Sequence, residues 1–399
     1  MRYDLVFEGG GARGVIFIGA LYELQARNHQ VGRLVGTSAG AIIATLVAAG
    51  YSPGELATAV ARKQGGASLM RGFLGEPPPF SRDEIQQSAT RAFFRDVDLP
   101  MVPGFVEKRL DDAMSAALLR FPVHRNLMAF VERGGWYAAD AFMIWLTDLL
   151  NTGYFKRQPR RFGTQTLAQF HAATGTDLSV IVADTTAARL RVLSHRTAPH
   201  CPVVWAVRMS MNLPFLWDDV VWQGDWGTYL GGSLEGHIMV DGGLLSGFPI
   251  ELLVSNEPYV RALIGAHSGD SVLGLLIDES LPVPGNVPAP TAPVGGLNLA
   301  HLRAVQRLTR MVNTMTSARD KMVIEAFEPM VARLPAKGYG TLEFDMTDAR
   351  REALIECGRS ALRAWFDRPR PADVQPEGAP VPPDALHHAN RVAARLLMP

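Results

Sequence analysis

The 399 residues carry 39 Lys plus Arg against 39 Asp plus Glu, and 47% of them are apolar. That balance excludes a global electrostatic pull toward nucleic acid, while the apolar content suffices for one large α/β domain with insertions or for two ordinary domains. The two cysteines, Cys201 and Cys357, stand far apart and in no metal-like spacing, so reduced core thiols are expected, with neither a disulfide framework nor a metal site.

In chain order, the opening MRYDLVFEGG runs from one basic residue straight into strand-like alternation, without the apolar run of a secretory signal. No stretch reaches the ~18 uninterrupted apolar residues of a membrane span, so a cytoplasmic protein is expected. Tyr3 to Phe7 reads as a strand, the glycines that follow as its turn, and Val15 to Arg27 as a helix with apolar residues at Ile16, Ala20, Leu21 and Leu24. Val31 to Val35 is a second apolar run, followed by GTSAG and by a helix apolar on nearly every face that ends at Gly50. Two strand-turn-helix units in fifty residues predict a mostly parallel sheet covered by helices on both faces.

From Lys63 to Gly163 the pattern weakens into helical pieces separated by Pro and Gly, as an insertion or cap would. Strand chemistry returns at Asp177 to Ala183, Leu190 to Ser194, His237 to Val240 and Ser271 to Ile277, and the stretch from Cys201 is helical until Pro214. A Pro-rich excursion begins at Leu281, Leu299 to Leu334 reads as helix, and a second Pro-rich stretch near 368 to 383 precedes a terminal helix.

The early EGGGARG admits three readings: a dinucleotide turn, a phosphate cradle, or an anion hole. Gly9, Gly11 and Gly14 satisfy G-x-G-x-x-G, but the second strand ends Leu34, Val35, Gly36, Thr37, Ser38, with no carboxylate for a ribose. No GK[ST] follows the glycines, so a Walker loop fails too. Gly36 to Gly40 instead spells G-x-S-x-G between a strand and a helix, the context of a nucleophile elbow. There the flanking glycines let two backbones pass closely, and the helix start aims N–H groups at developing negative charge. A serine hydroxyl needs a base. The ten histidines, among them His267 and His301, stand in no motif, and none is assigned to that role. Asp241, which follows a short strand and precedes Gly242 and Gly243, is placed where α/β folds carry their sites; alone it would read equally as an Asp-Gly turn.

GGGARG, GTSAG and DGG, in that order and each at a strand end, resemble the patatin-like phospholipase family. AVRMSMNLPF is similar to the family's block in which a serine precedes a proline by four residues, here Ser210 and Pro214. The resemblance implies an α/β fold, a three-layer α/β/α sandwich with a mostly parallel central sheet, a helical cap insertion and a helical C-terminal extension. The corresponding division is a catalytic domain over 1–280, with the cap at about 63–163, and Pro-rich linkers and helices over 281–399. The resemblance makes Ser38 the nucleophile and Asp241 its base, with Gly9, Gly10, Gly11, Arg13 and Gly14 forming the oxyanion hole and no cofactor required. Arg13 is expected to hold the oxyanion, a substrate phosphate or only the loop. Where relatives continue DGG with an Asn-Pro pair, this chain has Gly247, Phe248 and Pro249, so the Asp241 loop needs different support.

The activity implied is hydrolysis of a phospholipid or other lipid acyl ester. The alternatives are an acyltransferase using the same acyl-enzyme and an inactive lipid-binding scaffold. A long acyl chain requires an apolar groove, for which the cap offers Phe93, Phe94, Phe105, Phe130, Trp136, Tyr137, Phe142 and Trp145. Peripheral membrane contact is expected at YFKRQPRR, through Lys156, Arg157, Arg160 and Arg161.

Overall fold

The computed structural model of the protein describes residues 1–64, 67–89, 122–267, 269, 271–285, 325–368 and 383–397. The strands of its main sheet are β1 (Arg2–Phe7), β2 (Gln30–Thr37), β3 (Leu178–Asp184), β4 (Arg189–Leu193), β5 (Val220–Val221), β6 (Ile238–Asp241), β7 (Ser271–Pro282) and β8 (Val331–Lys337). They form one sheet in the order β5-β6-β3-β2-β1-β7-β8, with β4 also paired to β3. β3, β2, β1, β7 and β8 run parallel, while β4 and β6 are antiparallel to β3 and β5 to β6.

The central strands are apolar on both faces, as a sheet covered on both sides requires. Tyr3, Leu5 and Phe7 of β1 enter one apolar cluster and Val6 the other. The first cluster is shared with α1 (Ile16–Ala26), α2 (Ala39–Ala48), α3 (Pro53–Val60), α5 (Asp140–Asn151), α6 (Val203–Ser210) and α8 (Asp348–Asp367). The second is shared with α7 (Ile250–Val254) and α9 (Pro383–Leu397), and α4 (Pro122–Glu132) falls within the 63–163 stretch expected as a cap. The three-layer sandwich expected from the pattern is therefore present. In the cap, α5 buries Phe142, Trp145, Leu146, Leu149 and Leu150 in the same cluster as α2, so this part is a wall of the core.

The C-terminal residues differ from the expectation of helices alone. Of the stretch Leu299 to Leu334 read as helix, residues 299–324 lie outside the described residues, and Val331 to Leu334 belong to β8. Ala332, Arg333 and Leu334 favour helix in isolation, but pairing with β7 buries Val331, Ala332, Leu334 and Ala336, and tertiary pairing overrides propensity. Pro335 is tolerated because β8 is the edge strand. α8 in turn lies on α1 at two glycines: a Cβ on Gly19 would stand 1.8 Å from the Ile355 carbonyl oxygen, and one on Gly358 2.2 Å from that of Ile16. Both cysteines are buried and free.

Because neither backbone can retreat at that crossing, Gly358→Leu is expected to destabilise the fold by about 3 kcal/mol or more, read as a lowered urea midpoint at unchanged slope.

Candidate active site

β2 passes into α2 through Ser38, whose backbone has φ 54° and ψ −122°. A residue with a side chain holds a positive φ at a cost on the order of 1–3 kcal/mol, so the surroundings must impose it. Gly36 and Gly40 allow the imposition: a Cβ on Gly36 would lie 2.4 Å from the Gly40 carbonyl oxygen, and one on Gly40 2.2 Å from that of Phe7. Ser210, the last residue of α6, completes it. The Ser38 N–H donates to Ser210 Oγ at 3.0 Å, and that hydroxyl donates to the Ile181 carbonyl of β3 at 2.6 Å. Ser38 thus stands at the amino end of α2, where the unpaired N–H groups and the helix dipole favour negative charge.

The sheet register brings Asp241 to this serine. β4 occupies one edge of β3 from Val180 to Asp184, and β2 pairs along the other edge as far as Thr37 opposite Ile181. β6 approaches from the opposite direction along the edge that β2 leaves free, and ends with Asp241 opposite Val182. The carboxyl ends of β2 and β6 therefore meet head to head, one residue of β3 apart. The Asp241 N–H donates to the Asn212 carbonyl at 2.8 Å, and its Oδ1 accepts from the Gly243 N–H at 2.7 Å. Oδ2 is buried without a hydrogen-bond partner among the described residues. Burial pushes the Asp241 carboxyl up to about 6, a shift tempered by the Ser38 hydroxyl and the Gly243 N–H. The Ser38 hydroxyl faces the carboxylate closely enough for that effect without completing a hydrogen bond to either oxygen.

In the glycine turn, the Gly9 N–H donates to the Gly247 carbonyl at 3.1 Å, the Ala12 N–H to Thr341 at 2.8 Å and the Arg13 N–H to Gly10 at 3.3 Å. The N–H groups of Gly10 and Gly11 have no acceptor among the described residues. Arg13 does not line the cleft, and its side chain lies on the loop, the third of the roles open to it. Its Nε donates to the Gly10 carbonyl at 3.2 Å, and its guanidinium pairs with Glu279. Since a trans peptide sets C=O and N–H in opposite directions, holding the Gly10 carbonyl fixes where the Gly11 N–H points. Gly14 lets this turn pass α2, because its Cβ would stand 2.7 Å from that of Ala39. The bond from Gly9 to Gly247 also supplies the support that the missing Asn-Pro pair put in question. Gly242 is packed on β3, where a Cβ would meet the Ile181 carbonyl oxygen at 2.4 Å.

From Ser38 and Gly11 a cleft of about 650 Å³, including its open mouth, runs along α2 past Ile42 and Leu46 to Leu56 and Val60 of α3. Phe142 and Trp145 of the cap line it as expected, whereas Phe130, Trp136 and Tyr137 do not, and Phe93, Phe94 and Phe105 lie outside the described residues. Met70, Phe73, Trp217 and Phe344 complete the walls. No histidine among the described residues lines it; His267 instead contacts Arg33 and Asp4, and His301 lies outside the described residues. Nor do the described residues contain a cluster of His, Cys, Asp or Glu able to hold a metal ion.

The family model for patatin-like phospholipase matches residues 5–254. The chain belongs to the patatin-like phospholipase family. As a member it is a lipid hydrolase. It is 25% identical over 376 residues to the uncharacterized protein YqhO of Bacillus subtilis strain 168, covering 92% of this chain and 99% of that one. Among solved structures it is similar to VipD from Legionella pneumophila, with a TM-score of 0.44 and 15% identity over 92% of this chain and 66% of that one. It is also similar to the type III effector protein ExoU, with a TM-score of 0.37 and 15% identity over 92% of this chain and 52% of that one. The chain thus spans about two thirds of VipD and about half of ExoU.

Two contributors went unassigned although their block was recognised. Buried Arg208 donates to Asn212 Oδ1 at 2.8 Å and to Asp218 at 2.9 Å, and Asn212 carries the Asp241 N–H on its carbonyl. The polarity of Arg208 inside an otherwise apolar helix, and of Asn212 just beyond its end, was the available signal. Of the basic residues of YFKRQPRR, Lys156, Arg157 and Arg161 are exposed, and Arg160 alone departs from the expected surface role. Arg160 is buried and donates to the Ala49, Gly50 and Thr152 carbonyls and to Glu55, so it caps the far end of α2 and cannot face a membrane. Among the described residues no helix is long and apolar enough to cross a membrane.

Ser210→Ala removes the acceptor for the Ser38 N–H and the donor to Ile181 together, and is expected to lower stability by about 1–3 kcal/mol in chemical denaturation.

Proposed function

We propose that the protein hydrolyses the acyl ester of a phospholipid or related lipid through an acyl-enzyme on Ser38. The observation that carries this reading is the meeting of a strained serine at a helix start with a buried carboxylate, at the head of an apolar cleft.

In the first step Ser38 Oγ attacks the acyl carbonyl carbon while its proton passes to Asp241 Oδ2, the oxygen without a partner. The carbonyl oxygen becomes negative and is received by the N–H groups of Gly10 and Gly11, each worth roughly 3–4 kcal/mol of transition-state stabilisation. Gly9, Arg13 and Gly14 serve by shaping that turn. As the tetrahedral intermediate collapses, Asp241 returns the proton to the leaving alcohol oxygen. Water then repeats the sequence on the acyl-enzyme and releases the fatty acid. A buried carboxyl raised to about 6 suits this work, since it is ionised at neutral pH yet more basic than a solvated carboxylate. The apolar walls supply no group that would recognise a head group, and their fit is to an acyl chain.

A fluorophosphonate probe should label the wild type and not Ser38→Ala; equal labelling of both would remove Ser38 from its role. Asp241→Asn is expected to lower kcat about 10²–10⁴-fold with the fold intact. In the wild type, kcat/KM should rise with a one-proton dependence through about pH 6 and level off above it, because the base works ionised.

The same shift has a stability consequence of opposite sign. The folded carboxyl holds its proton more tightly than the unfolded one, at about 6 against 3.8, so stability falls as pH rises from about 4 to about 6 and is flat above. Asp241→Asn should therefore be more stable than wild type at pH 7 by on the order of 3 kcal/mol, a difference that vanishes below about pH 4 in urea titrations.

A further inference from the structure

We infer that the strap from Gly338 to Met346, beyond the stretch that matches the family, is a working part of this site: it positions the glycine turn, and its Phe344 selects among acyl chains. The inference rests on the reading of Ser38 as the acyl-accepting serine.

Because β8 runs parallel to β1 and β2, its carboxyl end is delivered to the same edge of the sheet as Ser38. The strap that follows is closed on itself by Arg350, whose Nε and a terminal nitrogen grip Glu343 at 2.6 and 3.0 Å. Arg350 also donates to the Gly338 carbonyl at 2.8 Å and lies 4.1 Å from the centre of the Tyr339 ring. The Gly340 N–H donates to the same Glu343 carboxylate at 3.0 Å. A bidentate guanidinium-carboxylate pair on a buried arginine gives the strap a single geometry.

From this rigid base two groups reach the site. The Thr341 carbonyl accepts the Ala12 N–H at 2.8 Å and packs so tightly on Gly11, at φ +56°, that a Cβ there would stand 2.2 Å from the Thr341 oxygen. The Gly11–Ala12 peptide, next after the one whose N–H faces the developing oxyanion, is thereby held in place. The Phe344 ring enters the cleft wall against Phe73 at 6.0 Å and Trp217 at 6.1 Å between centroids. Those two are themselves tied, since Trp217 Nε1 donates to the Phe73 carbonyl at 2.7 Å. With Trp217 and Phe73 tied to each other, the side chain at residue 344 is the part of this wall whose volume can set the fit.

The test uses the full-length protein and fluorophosphonates carrying short, medium and long alkyl chains, with labelling rates measured for each. Phe344→Ala should raise the long-to-short rate ratio by about tenfold, and Phe344→Leu should move it in the same direction if the alanine variant fails to fold. Glu343→Gln, which loosens the clamp, should lower labelling by about tenfold for all chain lengths alike, leaving both the long-to-short ratio and the pH midpoint of labelling where they were. Ratios in Phe344→Ala and Phe344→Leu equal to wild type would overturn the selectivity role, and wild-type labelling rates in Glu343→Gln would overturn the positioning role. Wild type that takes no label at all would instead overturn the reading of Ser38 itself.

Discussion

The positive φ at Ser38 is the constraint on which the site depends. A chain leaving a parallel strand for a helix would ordinarily relax such a residue, and here it cannot. Gly36 and Gly40 bring strand and helix so close that no side chain fits between them, and Ser210 ties the serine's own N–H to β3. The strain is met by burial on both sides of the turn, and it aims one hydroxyl out of an otherwise apolar layer. The same serine begins α2, so the side chain, the helix dipole and the cleft that follows Ile42 and Leu46 share one axis.

Asp241 shows the complementary arrangement, a charge that the fold keeps at its own expense. β6 ends where β2 ends, and the carboxylate is enclosed with one oxygen served by the Gly243 N–H and the other left without a partner. A buried group in this state disfavours ionisation and destabilises the neutral-pH fold. Arg208 and Asn212 hold its backbone, and Gly247 joins its loop to the glycine turn. Ser38, Asp241 and the glycine turn are thus three strand ends, with the turn tied to the Asp241 loop by the Gly9–Gly247 hydrogen bond and Ser38 tied to β3 through Ser210.

Residues far beyond the family-matched region also belong to this assembly. β8 extends the sheet, α8 crosses α1 at Gly19 and Gly358, and the strap between them touches the anion turn and the cleft. Residues 331–367 are therefore structurally continuous with the first fifty residues.

Much of this was legible in the amino-acid sequence because it depends on local constraints. The strand-turn-helix units are written in apolar periodicity, and GTSAG and GGGARG are written in glycine, since close backbone approach and positive φ leave few other residue types. Asp241 was legible as a carboxylate at a strand end. Its meeting with Ser38 was not, because the register of β6 on β3 depends on pairings between residues some sixty positions apart. Arg13 and Arg160 were legible as cations without a fixed partner, and only packing revealed that both hold backbone carbonyls. Val331 to Leu334 looked helical, because propensity reports the isolated segment while an edge strand is made by its neighbour. The sequence by itself therefore determined the chemistry on offer: a serine at an elbow, a carboxylate and a bare-backbone turn. Only the tertiary structure decided their mutual distance, the oxygen left without a partner and the walls of the cleft, because these arise from contacts between segments that carry no local trace of one another.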